Sequence, residues 1–106
     1  ILGLAYKKNI DDLRESPSID IINKLIKRVK NIDYSDPLIP KYYSNNKNAF
    51  YLKSKILNKK NIANYDLVLV CTDHDDFPYT LIRENAQLII DTRNVYKNSY
   101  QNVIKA

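Results

Sequence analysis

One glycine, one cysteine and one histidine are all that this 106-residue chain holds of three chemically versatile residue types. A single glycine excludes both the G-x-G-x-x-G turn of dinucleotide-binding folds and the P-loop. Any phosphate held here must therefore be held by side chains. The lone Cys71 excludes an internal disulfide and fits a reducing compartment, with the cytoplasm as the expectation. The lone His74, in "TDHDD", has no second imidazole to share a metal, and consecutive residues at a strand end point apart. The expectation there is a hydrogen-bonded loop cap and no metal site. No apolar run approaches the roughly 20 residues of a membrane span, and no signal-peptide pattern precedes the first strand.

What is present suits one globular domain, residues 1–106, of a size that can bury a core: 44% of residues are hydrophobic and 27% charged. "ILGLAY" reads as the second half of a buried strand with no turn or cap before Ile1. Chains rarely begin inside a core strand, so the expectation is a piece of a longer protein. The net charge of +5 is local: residues 41–65 carry six lysines and no acid. Tyr42, Tyr43, Phe50 and Tyr51 lie among those lysines, a mixture that also occurs in proteins binding single-stranded nucleic acid. The lysines are dispersed, arginine is missing from the segment and no nucleic-acid motif accompanies it. A solvated basic face is the preferred reading.

Residues 1–6 form a short apolar run that fits a strand buried on both faces, with Gly3 permitting close backbone approach. Ser16 is a good N-cap and Pro17 a good first helical residue. Ile19, Ile22, Leu25, Ile26 and Val29 then recur at helical spacing on one face. "NIDYSDP" reads as a brief strand closed by Asp-Pro. Residues 41–60 can hold one or two short strands, "AFYLKS" among them. Residues 67–71 are a continuous apolar strand, after which Asp75 or Asp76 can cap a short helix containing Leu81 and Ile82. "QLIIDTRN" repeats the pattern of an apolar strand with a polar end, and the last dozen residues read as weakly ordered. Strand, helix, strand, repeated, predicts an α/β, Rossmann-like three-layer domain with a mostly parallel sheet.

Ligands of such sheets bind outside the carboxyl ends of the strands. Tyr6 and Lys7, Thr72 to His74, and Asp91 to Arg93 all follow such ends, so Lys7 and Arg93 can converge on one anion. Lysine supplies a compact cation and arginine a planar fork for bidentate phosphate contact. The structural alternative is a surface lysine and an Arg93 paired with Asp91. Cys71, at the end of a buried strand, reads as an inert core thiol.

Three blocks, "GLAYKKNIDDLRESPS", "VLVCTDHDDF" and "IIDTRN", together resemble the C-terminal domain of the UDP-glucose/GDP-mannose dehydrogenase family over nearly the whole chain, from Leu2 to Asn94. "TDH" and "DTRN" look most like the bacterial branch acting on UDP-N-acetylhexosamines. The resemblance implies an NAD-dependent nucleotide-sugar 6-dehydrogenase that supplies surface-polysaccharide precursors. It oxidises the sugar C6 alcohol to a carboxylate in two hydride transfers, through a cysteine thiohemiacetal and thioester. By motif position, Tyr6 and Lys7 fall where the family contacts the substrate nucleotide, Arg93 at an arginine that reaches the substrate, and Arg14 at one that contacts NAD across the domain cleft. Asp11, Asp12 and Glu15 are placed to orient these cations. The catalytic-cysteine motif is absent and Cys71 does not correspond to it, so no catalytic residue is expected here and the fragment alone should be inactive. "DDFPY" also departs from the family, with proline where aspartate is common. The implied partners are a UDP-sugar, NAD and further copies of the full-length protein, with no nucleic acid and no membrane. The alternative is a non-enzymatic basic Rossmann-like module that binds nucleic acid or another acidic partner.

Overall fold

The computed structural model describes residues 1–44 and 50–106; Lys47 and Ala49, part of the basic segment and of "AFYLKS", lie outside the described residues. The first helix, α1 (Pro17–Leu25), forms as its sequence dictates. The Ser16 side chain accepts from the Ser18 N–H, proline fills the first turn, and Asp20 and Lys24 lie at the ends that favour their charges. Its apolar face is one turn shorter than the sequence spacing suggests. The chain tightens after Leu25, where the Arg28 N–H returns to the Leu25 carbonyl at 2.8 Å. Val29 is left 41% exposed.

Residues 41–60 hold a hairpin of β1 (Lys41–Tyr43) and β2 (Tyr51–Lys53), antiparallel with Tyr42 opposite Leu52 and Tyr43 opposite Tyr51. Alternation sends Tyr42 and Leu52 inward and leaves Tyr43 stacked on Tyr51 outside, ring centroids 4.5 Å apart. A short helix, α2 (Lys59–Ala63), is capped by Asn58 and leads to β3 (Val68–Val70). Then come α3 (Tyr79–Asn85), β4 (Ile89–Asp91) and β5 (Val103–Lys105).

β3, β4 and β5 form a parallel sheet in that order. Parallel bridges widen it: Leu2 pairs with both Val70 and Ser35, and Tyr34 with Ser54. "NIDYSDP" thus supplies the expected brief strand contact, whereas the expected strand over residues 1–6 is cut short. Gly3 turns the chain with φ 87°, so only Leu2 pairs on both sides.

Two apolar clusters flank the sheet. Leu2, Val68, Val70 and Ile89 pack with Ile62 of α2 and Ile82 of α3. Leu4, Ala5 and Tyr34 pack with Ile22 of α1. Ile1 and Leu2 belong to different clusters, as strand alternation requires of two faces. The result is the expected three-layer α/β arrangement with a mostly parallel sheet.

Two further expectations fail. The final residues are not weakly ordered: β5 pairs along β4, Ile89 opposite Val103. Asn102 ties it down by donating to the carbonyls of Arg83 (2.8 Å) and Ala86 (2.9 Å), and the Arg83 guanidinium lies 4.3 Å from the Tyr100 ring centre. Neither Asp75 nor Asp76 caps α3, whose N-cap is Pro78 with no side-chain bond. The Asp75 carboxylate is occupied by Asn9 instead, and Phe77-Pro78 delays the helix until Tyr79.

Candidate functional site

Tyr6 and Lys7 follow the parallel-paired Leu2, and Arg93 follows β4, at the carboxyl edge of the sheet. Thr72, fully buried just past β3, organises that edge. Its hydroxyl donates to the Ala5 carbonyl at 2.7 Å, and its N–H donates to the Leu2 carbonyl at 3.1 Å. The crossing is so close that a Cβ on Gly3 would fall against the Thr72 Cβ and 2.6 Å from the Thr72 carbonyl oxygen. The one glycine is consumed here, by close approach of two strands.

Beyond Ala5 the chain enters solvent. Tyr6 is 49% exposed, with its N–H held by the Asp12 carbonyl at 2.8 Å. Lys7 is exposed and makes no ion pair among the described residues, whereas Lys8 lies 3.9 Å from Asp75. On the neighbouring strand end the Arg93 Nε donates to the Cys71 carbonyl at 2.8 Å. The alternative Arg93–Asp91 ion pair does not form among the described residues. Asp91 is buried, and its oxygens accept the backbone N–H groups of Arg93 (3.0 Å), Val95 (3.2 Å) and Tyr96 (3.0 Å). A carboxylate occupied in this way shapes the loop that carries Arg93, and the guanidinium pairs with no acid among the described residues. Lys7 and Arg93 are therefore both anchored to the Cys71-Thr72 step, one through Ala5 and one directly.

Arg14 is different. Its side chain is 88% exposed and forms a fork with Asp12, Nη2 to Oδ2 at 2.8 Å and Nε to Oδ1 at 3.0 Å. The Arg14 hydrogen bonds hold the Asp12 carboxyl down to about 2. Asp12 is thus the acid that orients a cation, while Asp11 and Glu15 form no ion pair among the described residues. The Cys71 thiol is buried and pushed up by desolvation, in keeping with an inert core thiol. His74 is hydrogen-bonded through both ring nitrogens, to Asp36 and to the Asn9 N–H. A cavity of about 50 Å³ is lined mostly by apolar side chains, Leu2, Leu57, Ile62 and Ile82 among them, and by Lys55, but not by Lys7, Arg14 or Arg93.

Sequence reasoning missed Asp36 and Asn9 as members of this edge, and Asp91 as its loop organiser. The available signal was a short polar side chain at the carboxyl end of each parallel segment. The partners of Asp36 and Asn9 are 38, 65 and 32 residues distant, so no local pattern reveals them, whereas those of Asp91 lie within five residues.

Residues 1–98 match the family model for the UDP-glucose/GDP-mannose dehydrogenase family, UDP binding domain. This chain belongs to that family. It is 32% identical over 108 residues to the UDP-glucose 6-dehydrogenase of Rickettsia prowazekii, an alignment covering 92% of this chain and 24% of that protein. It is 33% identical over 107 residues to the UDP-N-acetyl-D-mannosamine dehydrogenase of Methanococcus vannielii, covering 93% and 23% respectively. Among solved structures, the UDP-D-ManNAc dehydrogenase from Pyrococcus horikoshii superposes with a TM-score of 0.69 at 26% identity, over 98% of this chain and 23% of that one. The chain thus spans about a quarter of the length of the relatives it matches and corresponds to their C-terminal region. Family membership does not favour the alternative of a basic module for nucleic acid. Among the described residues, no helix is long and apolar enough to cross a membrane.

Proposed function

We propose that this chain holds the UDP end of a nucleotide-sugar as one domain of a longer, cytoplasmic NAD-dependent 6-dehydrogenase, which converts the sugar C6 alcohol to a carboxylate. One observation carries the reading. Ala5, before Lys7, and Arg93 are both bonded to the Cys71-Thr72 step at the carboxyl edge, and neither Lys7 nor Arg93 pairs with an acid among the described residues. Lys7 supplies a point charge to a phosphate, the free edge of Arg93 a bidentate contact, and Tyr6 an exposed ring for the nucleoside.

NAD, when bound, accepts the hydride, and this chain fits a contact to it rather than a cradle. Its glycine is consumed against Thr72, and Arg14 is the outward-facing cation left for a phosphate or ribose across a cleft. Asp12 keeps that guanidinium extended and charged. Association of the full-length protein with further copies of itself belongs to the same proposal.

Titration of the chain with UDP at physiological salt tests the reading. Saturable, uridine-selective binding is expected, with Lys7→Ala or Arg93→Ala each weakening it by about 1.5–3 kcal/mol, the range for charged hydrogen bonds. Arg93→Lys should lose affinity as well, because a point charge cannot replace the fork. Unchanged UDP affinity in a folded Lys7→Ala, Arg93→Ala double variant overturns the assignment. Strongly salt-dependent binding to polynucleotides in place of UDP would revive the nucleic-acid module.

A further inference from the structure

The His74 ring is buried to 1% exposure, and each of its nitrogens meets a different part of the chain. Nδ1 lies 2.8 Å from the backbone nitrogen of Asn9, a group that can only donate. Nδ1 must then carry the lone pair, which puts the ring proton on Nε2, 2.9 Å from Asp36 Oδ2. Asp36 is itself buried and also accepts from the N–H groups of Leu4 (2.8 Å) and Leu38 (2.9 Å). Asn9 sits in the left-handed region at φ 63° and closes a second link to the same turn. Its Nδ2 donates to Asp75 Oδ2 at 2.7 Å, and its Oδ1 accepts the Asp75 N–H at 3.0 Å. The loop of residues 6–9, which carries Lys7, therefore hangs from the turn of residues 74–75 by three hydrogen bonds. Two of the three end on side chains that can take up a proton, the His74 ring and the Asp75 carboxylate.

We propose that His74 is a positioning residue for nucleotide binding: neutral, it holds Asn9 and with it the Lys7 loop, and taking up a second proton releases them. The proposal rests on the reading of Lys7 as a phosphate contact. On the protonated ring an Nδ1–H would face the Asn9 N–H, donor against donor, so that bond is lost while the contact to Asp36 gains charge. Asp36, from the segment before Pro37, is the acid in contact with the ring, and the neighbouring Asp75 is held by Asn9 and lies 3.9 Å from Lys8. Phe77 contributes an uncharged ring at 5.5 Å, and the Tyr79 phenol, raised by burial, stays neutral and donates to the His74 carbonyl at 2.6 Å. Because binding needs the form with one proton fewer, affinity is full above the titration of His74 and falls as pH drops through it.

NMR on the 106-residue chain tests this by following the His74 Cε1–H titration and the protection factor of the Asn9 amide in one sample. Protection is expected to fall in step with His74 protonation. UDP affinity should drop about fivefold to tenfold over the same interval, the share of one hydrogen bond. His74→Asn places a non-titrating acceptor near Nδ1, so it should keep the loop and flatten the pH profile. His74→Gln places its amide near Nε2, so it should keep Asp36, lose Asn9 and bind UDP weakly at every pH. A merely structural histidine would lower unfolding stability in both variants and leave Asn9 protection and the pH profile unmoved. An Asn9 amide that stays protected through the titration of His74, or in folded His74→Gln, overturns the proposal. Should no pH support UDP binding, the reading of Lys7 falls, and the amide data alone decide the fate of the hinge.

Discussion

Replacing Gly3 by alanine tests whether the carboxyl edge depends on one close backbone crossing. Gly3 sits at φ 87°, and its missing Cβ would lie against the Thr72 side chain, 2.6 Å from the Thr72 carbonyl oxygen and 2.9 Å from its Cα. Two of those three neighbours are backbone atoms and cannot rotate away. Nor can Thr72 slide aside cheaply, because its N–H and hydroxyl are bonded to Leu2 and Ala5 on either side of the glycine. An L-residue in the left-handed region costs roughly 1–2 kcal/mol. Overpacking a tight site costs typically about 1–3 kcal/mol more. Gly3→Ala should therefore lose about 2–5 kcal/mol, a large part of the roughly 5–15 kcal/mol that holds a domain together. Urea unfolding followed by circular dichroism measures it, with the midpoint falling and the slope unchanged. If the variant is folded, its UDP affinity should fall too, since relief of the clash must move the Ala5–Thr72 bond on which the Lys7 loop stands. A loss below about 0.5 kcal/mol, the size of a neutral surface change, would refute the reasoning.

Three further outcomes follow. Arg14→Ala should leave UDP binding by this chain nearly unchanged, raise the KM for NAD in the full-length enzyme, and return the Asp12 titration from about 2 to its ordinary 3.8. Because the folded value is depressed, the Asp12–Arg14 contact contributes above the ordinary carboxyl range and is lost as pH falls through about 2, which carboxyl carbon shifts report. Cys71 should react with iodoacetamide far more slowly in the native chain than in urea, since burial raises its thiol and hides it. Equal rates in the two states would place Cys71 outside the core. The chain alone should reduce no NAD with any UDP-sugar above a buffer blank, for it carries neither a glycine turn nor a matching cysteine motif.

Local chemistry determined much of this protein without reference to its fold. Ser16-Pro17 starts α1 because a capping hydroxyl and a fixed φ act within one turn of chain. The apolar runs around Val68–Val70 and Ile89–Asp91 could only be buried parallel strands, since both faces are apolar and a helix separates them. That order places Tyr6, Lys7 and Arg93 at one sheet edge before any coordinate is known. Tertiary structure alone decided which acids remain available to the cations. Asp91 looks like a partner for Arg93, yet three backbone N–H groups claim it once the chain turns toward Tyr96. Asp75 looks like a helix cap, yet Asn9 takes it from the far end of the sequence. His74 meets Asp36 across 38 residues and Asn9 across 65, and β5 is ordered by pairing with β4 and by Asn102 reaching back to α3. A carboxylate satisfies whichever donors the fold brings within about 3 Å, a range at which sequence separation carries no information.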